Sequence, residues 1–302
     1  MMLRFYIAML LVGISAQAMA MTFSLPATGD DLVGMMNSAE VRDGDTFVDL
    51  ARAHDLGYEN LERANPGIDP WIPPPGTRLQ IPQFHVLPDA PRQGVVINLA
   101  ELRLYYFRTD PKQGAPVVGV YPIGIGRDLA PTPIASTRVV AHIPNPVWYP
   151  PASIRDEHAE NDKPLPAMVA AGPNNPLGQY ALKLDLPGYF IHGTNKPYGI
   201  GMRVSHGCIR LYPEDIKQLF GQITNGTTVT IVDQPYKAGW YKGRLYFEAY
   251  PPLAGTDFSQ RNLTPAIKVV MMATQGREVQ VDWDKVTRAA VAATGIPAQV
   301  SR

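Results

Sequence analysis

Two hydrophobic periods divide the chain. Its middle is built from short β-branched and aromatic runs separated by turn residues: 95–99, 102–107, 117–125, 136–143, 180–184, 189–191 and 229–232. The first two are separated only by Ala100 and Glu101, which predicts a hairpin. Short strands at such spacing predict a mainly β domain, a sandwich or barrel, over residues 94–233. Helical spacing dominates the flanks. Thr46 is placed to cap a helix with Phe47, Leu50, Ala51 and His54 on one face. Residues 58–65 predict a second short helix, with Leu61 and Ala64 inward and Pro66 and Gly67 stopping it. With strands predicted at Glu40, Val41 and Arg42 and over 77–82, residues 40–82 form a small βααβ unit. Pro213 opens a helix carrying Ile216, Leu219, Phe220 and Ile223. In the tail, 234–302, WYKGRLYFEAYPPL alternates like one strand. Helices over 264–272 and 282–294 follow, the second ended by Gly295, so the tail reads as an α-containing packing subdomain, with a partner surface the alternative.

Three stretches carry no such period. Residues 21–38 predict an extended lead, and 84–93, with Pro88 and Pro91, a linker. Residues 154–179 hold Pro164, Pro166, Pro173 and Pro176 and predict a long loop, read as a lid or wall. The N-terminus has a different character. Arg4, an apolar run over 5–14 and Ala18-Met19-Ala20 predict a signal peptide over 1–20. No later stretch is long and apolar enough to cross a membrane.

Composition then narrows the function. The 302 residues carry 27 Lys+Arg against 27 Asp+Glu, and no long basic run directs the chain to nucleic acid or an anionic membrane. There is one cysteine, Cys208. In an exported protein a lone cysteine has no internal disulfide partner and is open to oxidation, which favours a reactive role over an inert one. A strand ending at His192, a Gly/Pro-rich loop over 195–201 and a return over 204–211 bring the imidazole towards the Cys208 sulfur. A thiol is a weak nucleophile until a neighbouring imidazole takes its proton.

These residues resemble the L,D-transpeptidase (YkuD-type) family of bacterial cell-wall enzymes, and IPNPVWYP over 143–150 is similar to its periplasmic branch. The likeness lies in His192-Gly193-Thr194 followed by Ser205-His206-Gly207-Cys208-Ile209-Arg210, and spans residues 94–232. VRDGDTFVDLARAH, NLERANPGID and GTRLQIP resemble a LysM module. The resemblance implies Cys208 as nucleophile and His192 as base. No acid lies in the motif to orient His192, so a backbone carbonyl, that of Gly193, is the expected third member. Gly207 and the Cys208 N–H are expected at an oxyanion hole. His206 has two readings, a donor to substrate or oxyanion and a hydrogen bond shaping the turn. Ser205 reads as a turn-former. Arg210, Tyr198 and Arg203 are substrate-binding candidates, with an ion pair to Glu214 or Asp215 the alternative for Arg210. Trp148 and Tyr149 line the groove or pack in the core.

The implied reaction attacks the diaminopimelate carbonyl of a tetrapeptide stem, releases D-alanine, and passes the acyl group to an amine, without cofactor or metal. The implied acceptors are a second peptidoglycan stem, the terminal lysine of an outer-membrane lipoprotein, or water. The glycan strand is the implied partner of residues 40–82, the periplasm the implied location, and carbapenems the implied inhibitors. A zinc site of His192, His206 and Cys208, a papain-like protease and a non-catalytic wall-binding protein are the competing readings. The first has three candidate ligands where a closed site needs four, and the second needs its histidine downstream of its cysteine.

Overall fold

The computed structural model describes residues 21–26, 28–253 and 262–302. The signal-peptide expectation for 1–20 lies outside them. The predicted lead is two strands, β1 (Met21–Ser24) and β2 (Leu32–Glu40). Helices α1 (Phe47–Ala53) and α2 (Tyr58–Ala64) follow, and β3 (Arg78–Val86) pairs antiparallel with β2 along its whole length. The strand predicted at Glu40, Val41 and Arg42 therefore ends at Glu40 rather than beginning there. Likewise, the predicted linker is strand as far as Val86. Pairing with a distant partner extended both beyond what local pattern showed. Thr46 caps α1 as expected, its hydroxyl accepting from the Asp49 N–H. Phe47, Leu50, Ala51 and Leu61 close a small core over Leu79 and Ile81.

The central domain holds β4 (Gly94–Asn98), β5 (Arg103–Thr109), β6 (Pro116–Pro122), β7 (Ile125–Gly126), β8 (Ala135–Pro144), α3 (Ala152–Glu160), β9 (Tyr180–Leu184), β10 (Phe190–His192), β11 (Arg203–Ser205), β12 (Ile209–Arg210), α4 (Pro213–Gln222) and β13 (Thr228–Val232). One curled nine-stranded sheet runs β1-β6-β5-β4-β13-β8-β9-β10-β12. The β4–β13 and β10–β12 pairs are parallel, and the rest are antiparallel. Mainly β is thus the right class, and the predicted β4–β5 hairpin is present. Alternation decides which face each residue serves. Val95, Ile97, Leu104 and Tyr106 join a core closed by Ile216, Leu219 and Ile223 of α4 and its C-cap. Val96, Tyr105 and Phe107 face a second core with Val118, Val120 and Val33.

The alternating tail is a hairpin rather than one strand, β14 (Tyr236–Tyr241) and β15 (Arg244–Ala249), turning at Lys242 and Gly243, both at positive φ. Helices α5 (Thr264–Ala273) and α6 (Trp283–Ala292) pack on it, and β16 (Ala298–Gln299) adds a third strand. Helix α6 ends at a left-handed Ala293, before the glycine expected to stop it. Among the described residues no helix is long and apolar enough to cross a membrane.

The three units share a buried ionic cluster. Lys237 Nζ lies 2.9 Å from Glu101 Oε1 and 3.0 Å from Glu248 Oε2. Arg103 and Tyr105 also reach Glu101, and the Val86 N–H donates to Glu248 at 2.8 Å. The turn after β4, the hairpin β14–β15 and the end of β3 meet there.

Candidate active site

Parallel pairing of β10 with β12 builds the site. Ile191 stands opposite Ile209 and His192 opposite Arg210. Both isoleucines are fully buried in the core. Side chains alternate along a strand, so His192, Arg210 and the neighbouring Cys208 share the other face. Cys208 directly precedes β12, and the Arg210 charge acts on both Cys208 and His192.

His192 is 2 % exposed, and its Nδ1 lies 2.6 Å from the Gly193 carbonyl oxygen. That oxygen only accepts, so Nδ1 carries the proton and Nε2 keeps a lone pair. Burial first, then the Arg210 charge, lower the imidazole to about 3, while the carbonyls of Gly193 and Leu177 pull the other way. The ring is therefore neutral at rest. Cys208 is half-buried, and its thiol donates to the Gly188 carbonyl at 3.6 Å. Burial raises the thiol above its ordinary value, opposed by a backbone hydrogen bond from Phe190 and by Arg210. Burial thus disfavours the charged form of both groups, the imidazolium and the thiolate alike.

The loop before the nucleophile is fixed from both sides. Gly207 has φ +104°, and a Cβ there would lie 3.0 Å from the Tyr189 ring. Ser205, fully buried, accepts the Gly207 N–H at 3.2 Å and donates to the Cys208 carbonyl at 2.6 Å. Thr132 donates to the Gly207 carbonyl at 2.8 Å and accepts from the Gly126 N–H at 3.0 Å. Thr132 was invisible as a site residue, since nothing in its loop marks it.

His206 turns its Nε2 to Arg127 Nη2, at 2.9 Å, and to Glu157 Oε2, at 3.0 Å. Arg127 and Glu157 are themselves a bidentate ion pair. The guanidinium and the neighbouring His206 hold Glu157 down to about 2. Of the two readings of His206, the structural bond describes this nitrogen. A zinc ion bound at it would stand against the Arg127 guanidinium, so the His192–His206–Cys208 ligand set is not assembled here. Glu157 belongs to α3, a helix inside the stretch predicted as loop. The helix was missed because it buries no residue and so shows no apolar face. The rest of the insert is ordered by Asn175, whose amide reaches the carbonyls of Pro146, Val169 and Ala170 and accepts from the Leu177 N–H.

Arg210 has no ion pair with Glu214 or Asp215, the alternative weighed for it. Glu214 is held by Arg52 at 2.8 Å and 2.9 Å, while both Asp215 oxygens lack a hydrogen-bond partner among the described residues. Tyr198 is exposed and close enough to Arg210 to act on its charge. Arg203 is elsewhere: it ion-pairs with Asp128 and donates to the Leu253 carbonyl at 3.4 Å. Trp148 is held by its backbone to Val169 across the insert, and Tyr149 is 68 % exposed, so Tyr149 does not pack in the core.

Two family profiles match this sequence: the L,D-transpeptidase catalytic domain over residues 92–231 and the LysM domain over residues 39–82. Three curated relatives match over nearly their whole length. Probable L,D-transpeptidase YbiS of Escherichia coli is 40% identical over 303 residues, covering 98% of this chain and 97% of that one. Probable L,D-transpeptidase YcfS of the same organism is 40% identical over 299 residues, covering 96% and 92%. Probable L,D-transpeptidase ErfK/SrfK of Salmonella typhimurium is 38% identical over 294 residues, covering 95% and 94%.

Proposed function

The chain belongs to the L,D-transpeptidase family and is an enzyme of that type, and from this premise we propose that Cys208 carries acyl transfer on peptidoglycan stem peptides in the periplasm. The observation that supports it most is the parallel register of β10 and β12, which sets His192, its Nδ1 tied to the Gly193 carbonyl, across from the strand that Cys208 leads into. As Sγ bonds to the diaminopimelate carbonyl carbon, its proton passes to Nε2 of His192. The Gly207 N–H is already taken by Ser205, so the Cys208 N–H is the main-chain donor for the oxyanion. The tetrahedral intermediate collapses, the carbon–nitrogen bond breaks, and D-alanine leaves with the proton returned by His192. The thioester then meets an amine, which gives a proton to His192 as it attacks. Sγ leaves and regains that proton.

Arg210 is half-buried, without an ion pair among the described residues and close enough to Cys208 to act on its charge, which suits a stem carboxylate. The acceptor is an amine of a second stem or of an outer-membrane lipoprotein lysine, with water the hydrolytic alternative. Carbapenems present a strained amide carbonyl to the same thiol and are expected to acylate it. Incubating the purified protein with disaccharide-tetrapeptide tests the reading. D-alanine release with a cross-linked product supports transfer between stems, and release with tripeptide alone supports hydrolysis. No release from either wild-type protein or mixed substrates contradicts the reading.

A further inference from the structure

The small N-terminal unit is seated rigidly on the catalytic domain. The first N–H groups of α2 find acceptors there, Tyr58 N on the Ile200 carbonyl at 3.2 Å and Glu59 N on Gly201 at 3.3 Å. Gly57 and Gly201 meet backbone to backbone; a Cβ on Gly201 would lie 2.2 Å from the Gly57 Cα. The Asn60 amide donates to the Glu101 carbonyl at 3.1 Å, and Tyr212 donates to the Leu56 carbonyl at 3.1 Å. Arg52 grips Glu214 bidentately and lies over the Tyr212 ring. A flexible tether would not need these contacts.

Beside this seam lies an open cleft of about 500 Å³, with Tyr58, Glu59, Glu62 and Arg63 of α2 as one wall. The other wall is the Arg127–Asp128 loop and residues 202–204 of the catalytic domain. That volume falls in the range of roughly 300–1,000 Å³ typical of small-molecule sites. Its chemistry is mixed. Arg63 pairs with Glu59, Arg203 with Asp128, and Tyr58 donates to Glu62. Yet Arg63 Nη1 and Arg127 Nε, one from each wall, are buried without a hydrogen-bond partner among the described residues. Tyr58 of the first wall stacks with Trp71, centroids 5.9 Å apart, and Trp71 keeps 60 % of its surface exposed. From the second wall, Arg127 touches His206, two residues before Cys208.

We propose that this cleft is a composite saccharide subsite, holding the disaccharide that carries the stem being processed. Paired acids and bases without net excess present both donors and acceptors, as a neutral N-acetylated, polyhydroxylated ligand requires, whereas a phosphate or polyanion would meet three carboxylates. Aromatic faces carry negative charge density that suits the C–H face of a sugar ring. Rigid seating preorganises both walls, so ligand binding does not have to order them. The small unit thus forms part of the substrate path, one step from Cys208. This inference rests on peptidoglycan being the substrate.

The test compares disaccharide-tetrapeptide with the free tetrapeptide as substrates, reading D-alanine release. Two variants, Arg63→Ala and Val204→Glu, alter one wall each, and thermal unfolding checks that both fold. The wild-type protein should favour the disaccharide form by about tenfold in kcat/KM, the scale of one or two well-made hydrogen bonds. In both variants that ratio should fall towards one. Equal use of the two substrates by the wild-type protein, or a ratio unmoved in both folded variants, overturns the subsite. Calorimetry of the substrate-free disaccharide against Cys208→Ala protein separates the two claims. If neither substrate is turned over, saccharide binding lost on adding Arg63→Ala sustains the cleft while the reaction fails, and no saccharide binding sinks the cleft as well.

Discussion

His192 starts neutral, with Nδ1–H committed to Gly193, and this fixes its pH behaviour. A base whose conjugate acid is lowered from 6.5 to about 3 stays able to accept a proton as the medium is acidified. The thiol, raised by burial, stays protonated as the medium becomes alkaline. A neutral pair therefore predicts kcat/KM that is flat from about pH 5 to about pH 8, with no inflection at the ordinary histidine value. A bell with its acid limb near 6.5 would instead mean a pre-formed thiolate–imidazolium pair. In His192→Ala the rate should fall by a factor of about 10²–10⁴, the usual contribution of general acid–base catalysis. The motif made the candidacy of these two residues legible, because a histidine ending one strand and a lone cysteine leading into another belong to one unbroken stretch. Their charge state was not legible: it depends on burial and on Arg210, which strand pairing brings alongside.

At the scale of elements, α3 is held over the nucleophile loop by the Glu157 contacts to Arg127 and His206, and none of its residues is buried. Glu157→Gln should therefore raise amide exchange across α3 while β9 and β10 keep their protection. Unchanged exchange would show that the helix is held by something other than the carboxylate. The sign of the pH effect follows from the direction of the shift. A carboxylate held below its ordinary 4.5 stabilises the contact fully above that value and loses it as pH falls towards about 2. Loosening of α3 should thus appear only in that acid window, and disappear as a separate step in the variant. Strands with strong alternation, such as β4 and β5, were readable from sequence, as was the Thr46 cap. What was missed lacks a local signal: α3 has no apolar face, and β1 and the first half of β2 exist through partners far along the chain.

Over the whole molecule, the N-terminal unit, the sheet and the tail cohere rather than hang from linkers. Strand β1 belongs to the large sheet, and a chain shortened to begin near Pro88 would lose it. The buried cluster around Lys237 makes the same point energetically. Lys237→Met would leave Glu101 and Glu248 facing each other, with Arg103 the remaining neighbouring cation of that group. Breaking a buried pair costs about 3–5 kcal/mol, so a fall of that size in denaturant unfolding is expected, and a loss under about 1 kcal/mol would mean the cluster is solvated. The small unit and the tail were each legible as packed elements, but their mutual seating was not, because Gly57 on Gly201 and Lys237 between two glutamates are contacts of tertiary structure alone. The proposed function turns on one sulfur atom, and the central claim is that this sulfur becomes acylated. Rapid-quench intact-protein mass spectrometry with disaccharide-tetrapeptide should show a single adduct of the substrate less D-alanine, mapped to the peptide containing Cys208 and absent from Cys208→Ala. Undiminished D-alanine release by Cys208→Ala, or an adduct mapped to another residue, would contradict the account.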